Sequence, residues 1–195
     1  GAKVVVLDFM FDKPDHQTAN LKNYIENNNI ENFEVNDGDK LFMDAIKYAK
    51  SKGTHVILSS ARKEEPTRIP PDYLLNPTSS LMETELDQYT GLVNINTDTD
   101  GFYRQYGMFY TISGDTTFHY TLGIESVLKY RGVYNSPSPI LDSDNRQITI
   151  GPLVIPTYGF GNTFITNYFG PVSGEFNTFS RYPLSNVVDT KDYII

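Results

Sequence analysis

Three polar side chains stand where they could contact a ligand: Asp8, Ser59 and Arg104. Asp8 follows a run of four branched apolar residues, and Ser59 ends a second apolar run. Open α/β sheets bind their ligands at the carboxyl ends of parallel strands, so Asp8 and Ser59 are predicted to lie at a binding edge. The alternative for Asp8 is a structural role, as a turn cap or an ion-pair partner, which is the commoner fate of acidic residues at strand ends.

An aspartate after one strand and a serine after another invite a comparison with haloacid-dehalogenase-like phosphatases. Such enzymes use the aspartate as nucleophile and a second aspartate, two positions later, as general acid. Here that position is Met10, which cannot supply a proton to a leaving group. Because a catalytic motif needs its geometric partners, a phosphatase-like hydrolase is an alternative and not the favoured function.

The segment 96–101 has oxygen donors at alternating positions before a glycine, as in the first half of a calcium-binding loop. The twelfth position should be a bidentate glutamate and is Gly107. A turn in which Asx side chains bond their own backbone is therefore favoured, and Asp98 and Asp100 are only weak metal-ligand candidates. Arg104 is expected to pair with these two carboxylates in preference to an anionic ligand.

Composition excludes several classes of function. The 195 residues carry a net charge of −8, without a dense Lys/Arg stripe, so no nucleic-acid partner is expected. The absence of cysteine excludes disulfides and thiolate chemistry in this chain. The three histidines, His16, His55 and His119, are too far apart for metal-ligand spacing. We therefore predict no cofactor and no catalytic set.

The first half of the chain is typical of an α/β protein. Strands are predicted near residues 3–9 and 55–59, with helices between them that end at the Asn-rich run 27–29 and at Gly53. A strand–helix–strand connection is right-handed, so these strands should form a parallel βαβ core, the first of them buried on both faces. Four prolines punctuate residues 61–90, which are predicted to be a functional or mobile loop without regular elements.

The second half of the chain favours antiparallel strands, consistent with its many tyrosines and phenylalanines. A strand from Gly91 and another over 102–112 are predicted to form a hairpin, followed by a helix over 118–131. Short strands are expected near 147–150, 153–155 and 164–168. The predicted fold is a mixed sheet with a parallel core, antiparallel strands in the second half and helices packed on the sheet, in one domain over residues 1–195.

Several stretches, in this order along most of the chain, resemble the second type of CHASE domain, a cyclase/histidine-kinase-associated sensory extracellular domain. They cover residues 1–11, 39–58, 91–104, 165–171, 178–180 and 186–188. Family members have a strand and a helix before the first stretch and a strand after the last. We therefore expect this chain to be truncated at both ends. The insertion at 27–37 and the irregular segment 61–90 depart from the family pattern.

The resemblance implies an extracytoplasmic sensor domain of a bacterial cell-membrane receptor. Transmembrane helices would flank the domain, and the output module would be a nucleotide cyclase, such as an adenylate cyclase, or a histidine or Ser/Thr kinase. The domain itself would be no enzyme and would bind an unidentified small molecule. The resemblance leaves a homodimer open, and a purely structural dimerisation module is a further alternative.

Overall fold

The described first half of the chain contains two helices and four strands, and strands dominate the second half. The computed structural model describes residues 1–31, 33, 35–78, 81, 90–95, 98–158 and 161–166. The first-half elements are β1 (Val4–Leu7), α1 (His16–Asn27), α2 (Gly38–Ser51), β2 (His55–Glu64), β3 (Asp72–Leu75) and β4 (Thr90–Leu92). The second-half elements are β5 (Gln105–Gly107), β6 (Phe109–Tyr110), β7 (His119–Tyr120), α3 (Leu122–Tyr130), β8 (Ile140–Asp142), β9 (Gln147–Ile150), β10 (Leu153–Pro156) and β11 (Thr163–Ile165).

Strand β2 is the centre of the main sheet. It pairs in parallel with β1, from Val4 opposite His55 to Leu7 opposite Leu58, and in parallel with β4 over residues 58–60. Its far end pairs antiparallel with β3. Ile57 and Leu58 are fully buried, whereas Val6 in β1 is 39% exposed. The prediction that β1 is buried on both faces is therefore wrong. A run of valines shows that a strand is apolar, but it does not show how many other elements pack against that strand.

The predicted βαβ core is confirmed in part. Strands β1 and β2 are parallel, but two helices lie between them and only α2 packs on the sheet, through Ile46 against Val56 and Leu58. Helix α1 begins at the N-cap Asp15, whose carboxylate accepts the backbone N–H groups of residues 17 and 18. It buries a single residue. The fold is thus mixed α/β with a mixed sheet and few helices.

The segment 61–90 is more regular than predicted. Strand β2 continues to Glu64 and forms an antiparallel pair with β3. Pro66, Pro70 and Pro71 lie in the connection between the two strands, and Pro77 follows β3. Asp72 is buried at the start of β3, where it accepts hydrogen bonds from Arg62 Nε at 3.2 Å and from the Ser113 backbone at 3.0 Å. Residues 79–80 and 82–89 lie outside the described part of the chain.

The predicted hairpin of the second half is wrong. Strand β4 joins β2, whereas β5 pairs antiparallel with β11. The short strands near 147–150 and 153–155 are confirmed as β9 and β10, which form a three-stranded antiparallel sheet with β8. Residues 167–168 of the last predicted strand lie outside the described residues. Strands β4 and β5 are neighbours in the sequence but do not pair, because each of them pairs with a strand that is distant in the sequence.

Helix α3 joins the two halves. It lies against β1, β2 and β4, and its residues Ile124 and Leu128 enter a buried cluster with second-half side chains. The helix is shorter than the predicted 118–131, because residues 119–120 pair with β6 and Thr121 takes the N-cap position. Helix α3 approaches the sheet most tightly at Gly91 of β4, where an added Cβ would lie 2.7 Å from Leu122 Cα.

Replacing Gly91 with alanine is expected to lower the free energy of unfolding by about 1–3 kcal/mol, the usual effect of overpacking. The atom that an alanine Cβ would meet belongs to backbone, so β4 and α3 must separate. Urea denaturation provides the measurement. Gly161→Ala is the matched control, because among the described residues its Cβ would touch only Thr163 Oγ1, at 3.9 Å. Equal stability of the two variants would contradict the contact between β4 and α3.

Candidate functional site

Asp8 lies at the predicted edge of the sheet, whereas Ser59 lies within β2, because that strand continues to Glu64. Asp8 comes directly after β1 and its side chain is exposed. Ser59 is fully buried, and its Oγ donates a hydrogen bond to the Leu7 carbonyl at 2.8 Å. The structure therefore brings Ser59 against the residue that precedes Asp8, but it commits the serine hydroxyl to the main chain. Ligand binding by Asp8 stays a prediction.

Arg104 lies in the internal pair that the sequence predicts. Its Nη1 is 2.7 Å from Asp100 Oδ2 and 3.2 Å from Asp98 Oδ2. The hydrogen bond from Arg104 is the main reason why the pKa of Asp100 is lowered. The guanidinium is half exposed, so this pair adds little stability.

A cavity of about 640 Å³ opens beside this pair and is also lined by Gln105, Tyr158 and Thr163. Within the described residues, no three His, Asp or Glu side chains converge as a metal site requires. Asp98 and Asp100 are engaged by Arg104, and Asp98 also accepts a hydrogen bond from Gln105 Nε2 at 3.3 Å. A cation would have to displace these donors, and the two aspartates stay weak candidates.

A second cavity, of about 260 Å³, lies at the end of β4, between the middle of β2 and α3. It is lined by Ser60 from β2, Thr90 and Leu92 from β4, and Glu125 from α3. Phe118 and His119 also line it. Sequence reasoning chose Ser59, but successive side chains of a strand point to opposite faces, so the neighbouring Ser60 is the one that faces the cavity.

A buried ion pair supports the α3 side of this cavity. Lys129 Nζ lies 2.6 Å from Glu125 Oε1, and the two residues are only 1% and 2% exposed. Burial raises the pKa of Glu125, and the hydrogen bond and charge of Lys129 oppose that rise. Burial and then the positive charge of Lys129 lower the pKa of nearby His55. Sequence reasoning missed both residues of the pair, although their spacing of four is the spacing at which helix side chains meet.

The outer part of the cavity carries a second acidic group. Asp115 accepts the Thr117 backbone N–H at 2.8 Å and contacts His119 Nε2 at 3.1 Å. Hydrogen bonds from Thr117 and then His119 lower the pKa of Asp115 to about 2. The aspartate is therefore ionised over the whole physiological pH range, and it makes this side of the cavity acidic.

The model of the CHASE2 domain family matches residues 1–195, the full chain. The chain belongs to the CHASE2 domain family. The resemblance carried by the sequence stretches is thus confirmed, and CHASE2 domains are extracellular sensory domains. No curated protein and no solved structure matches this CHASE2 domain. In the described part of the chain, no helix has the length and apolar character needed to cross a membrane.

Proposed function

We propose that this CHASE2 domain is the extracytoplasmic ligand-sensing part of a bacterial membrane receptor, with a nucleotide cyclase or a kinase as output. The observation that carries the proposal is the match of the whole chain to a family of sensory extracellular domains. A sensor must hold a ligand that binds two conformations unequally, and the cavities beside β2 and beside Arg104 offer space for one. Ligand binding by Asp8, Ser59 and Arg104 stays part of this proposal.

Sensing is favoured over phosphoester hydrolysis by what surrounds Asp8. The residue two positions later is Met10 and not an acid, and the Ser59 hydroxyl is engaged by the Leu7 carbonyl. A hydrolase of the haloacid-dehalogenase type needs both groups for chemistry. Magnesium-dependent hydrolysis of a generic phosphate ester, abolished by Asp8→Asn, would favour the enzyme instead.

The location of the domain can be tested by cysteine labelling, because the chain has no cysteine of its own. Ser51 lies exposed at the end of α2, so Ser51→Cys adds a thiol at an accessible point with little change in size. In intact cells that make the full-length protein, a membrane-impermeant maleimide should label this variant. The parent protein controls for thiols elsewhere. Labelling of Ser51→Cys only after cell lysis would overturn the proposed location.

A further inference from the structure

We infer that the cavity between β2, β4 and α3, here named the α3 cavity, binds a small organic amine in its protonated form. This inference deepens the proposed sensor function and rests on it. The α3 cavity is defined by Ser60, Thr90, Leu92, Phe118 and Glu125. At about 260 Å³ it lies below the range typical of drug-sized ligands, so it suits a small molecule.

Two buried polar groups facing the α3 cavity point to a ligand. Ser60 is 3% exposed, and no described residue forms a hydrogen bond with its hydroxyl. Glu125 is 2% exposed, and within the described residues Lys129, 2.6 Å from Oε1, is the one side chain that engages its carboxylate. A carboxylate can accept several hydrogen bonds, so it keeps acceptor capacity for a ligand. Buried polar groups are normally hydrogen-bonded, so the Ser60 hydroxyl needs an explanation. A ligand that donates hydrogen bonds to both groups provides one.

The charges around the α3 cavity select a cation. Glu125 and Asp115 contribute two negative charges, and none of the described lining residues is a lysine or an arginine. Lys129 lies behind Glu125 and balances one of these charges. The Asp115 carboxylate supplies the other negative charge, which matches a single positive charge on the ligand. An anion would meet two carboxylates and is disfavoured.

The remaining lining residues select the body of the ligand. Leu74, Leu92 and Phe118 give the α3 cavity part of its lining as apolar surface. An ammonium group has three donors, enough to reach Glu125 and the Ser60 hydroxyl together. A short aliphatic chain attached to it would cover Leu92, and the Phe118 ring adds a surface that attracts cations. A primary amine with a short apolar chain satisfies all of these features.

The test is a titration of the 195-residue chain, followed by amide NMR, with propylammonium chloride and its neutral isostere 1-propanol. Propylammonium should give saturable shifts at Ser60, Leu92 and Glu125, and propanol should bind at least tenfold more weakly. Ser60→Ala should weaken amine binding about tenfold, the factor that corresponds to about 1.4 kcal/mol. Ser51→Ala is the control, because this serine is exposed at the end of α2 and does not line the α3 cavity.

Three results would overturn the inference: no saturable shift with the amine, equal binding of the amine and the alcohol, or equal weakening by the two serine variants. Failure here is separable from failure of the proposed function. A domain that is labelled outside the cell but binds no amine contradicts only the ligand class. A domain that binds the amine but is labelled only after lysis contradicts only the location.

Discussion

Replacing Lys129 with methionine is expected to lower the free energy of unfolding by about 3–5 kcal/mol, the usual cost of leaving one member of a buried ion pair alone. Methionine fills a similar volume, so packing around position 129 changes little. The Glu125 carboxylate, 2% exposed, would lose the ammonium group that lies 2.6 Å away. Urea denaturation at pH 7 gives the measurement. Lys40→Met on the exposed face of α2 is the control, expected within about 0.5 kcal/mol of the parent.

The pH dependence of Lys129→Met identifies the unpaired carboxylate as the cause. Burial raises the pKa of Glu125 above its ordinary value of 4.5, and loss of Lys129 removes the charge that opposes this rise. A raised pKa in the folded state favours the protonated carboxyl, which stabilises the fold below 4.5 and loses that effect as pH rises through the folded value. The stability gap to the parent should therefore narrow as the pH falls from 7 toward 4.5.

The double variant Glu125→Leu/Lys129→Met completes the comparison. Apolar replacement of a whole buried pair is often neutral or stabilising, so the double variant should recover most of the loss. A double variant as unstable as Lys129→Met would show that methionine packing, and not the lone carboxylate, is responsible. A single variant as stable as the parent would contradict the buried contact itself.

Leu128→Ala is expected to lower the free energy of unfolding by about 2–5 kcal/mol. Leu128 is fully buried and belongs to a cluster with Met108, Ile148 and Ile150, so truncation leaves a cavity between α3 and the second half of the chain. The neighbouring Val127 is 42% exposed on the same helix. Val127→Ala should change stability by about 0.5 kcal/mol or less.

Urea unfolding followed by both fluorescence and circular dichroism would show whether the two halves unfold together. Tyrosine provides the fluorescence, because the chain has no tryptophan. Coincident transitions that shift together in Leu128→Ala are expected, since α3 contacts both the main sheet and the second-half cluster. A loss no greater than that of Val127→Ala would contradict this position of α3.

Local sequence patterns predicted the positions of helices and strands far better than they predicted which strands pair with each other. Helix α2 and strands β9 and β10 follow from apolar spacing and Gly turns over a few residues, and they lie where the sequence placed them. The pairing of β5 with β11 joins residues 105–107 to residues 163–165, and no short window contains that information. The exposure of Val6 was missed for the same reason, since burial depends on what covers a strand.

Ligand binding at the carboxyl ends of the parallel strands stays a prediction. The sequence does not show the cavity that lies at the end of β4, beside Ser60 within β2. Choosing between Ser59 and Ser60 requires knowing which face of β2 meets α3, and that is a tertiary fact. Glu125 and Lys129 look like a solvent-exposed helix pair in the sequence. Their burial follows from the packing of α3 against three strands.

Strand β2 is long enough to pair with different strands along its length, and Ser60 lies where its pairing partner changes. Residues 58–60 of this strand have the parallel neighbour β4, and residues 61–64 have the antiparallel neighbour β3, so Ser60 stands where one kind of pairing gives way to the other. A strand rises about 3.3 Å per residue, which places Glu64 about 13 Å further along. If β2 tilted by about 10° at Ser60, Glu64 and the β3 residues paired with this part of the strand would move by about 2 Å. A tilt of β2 at Ser60 would therefore move Glu64 further than it moves Ser60 itself.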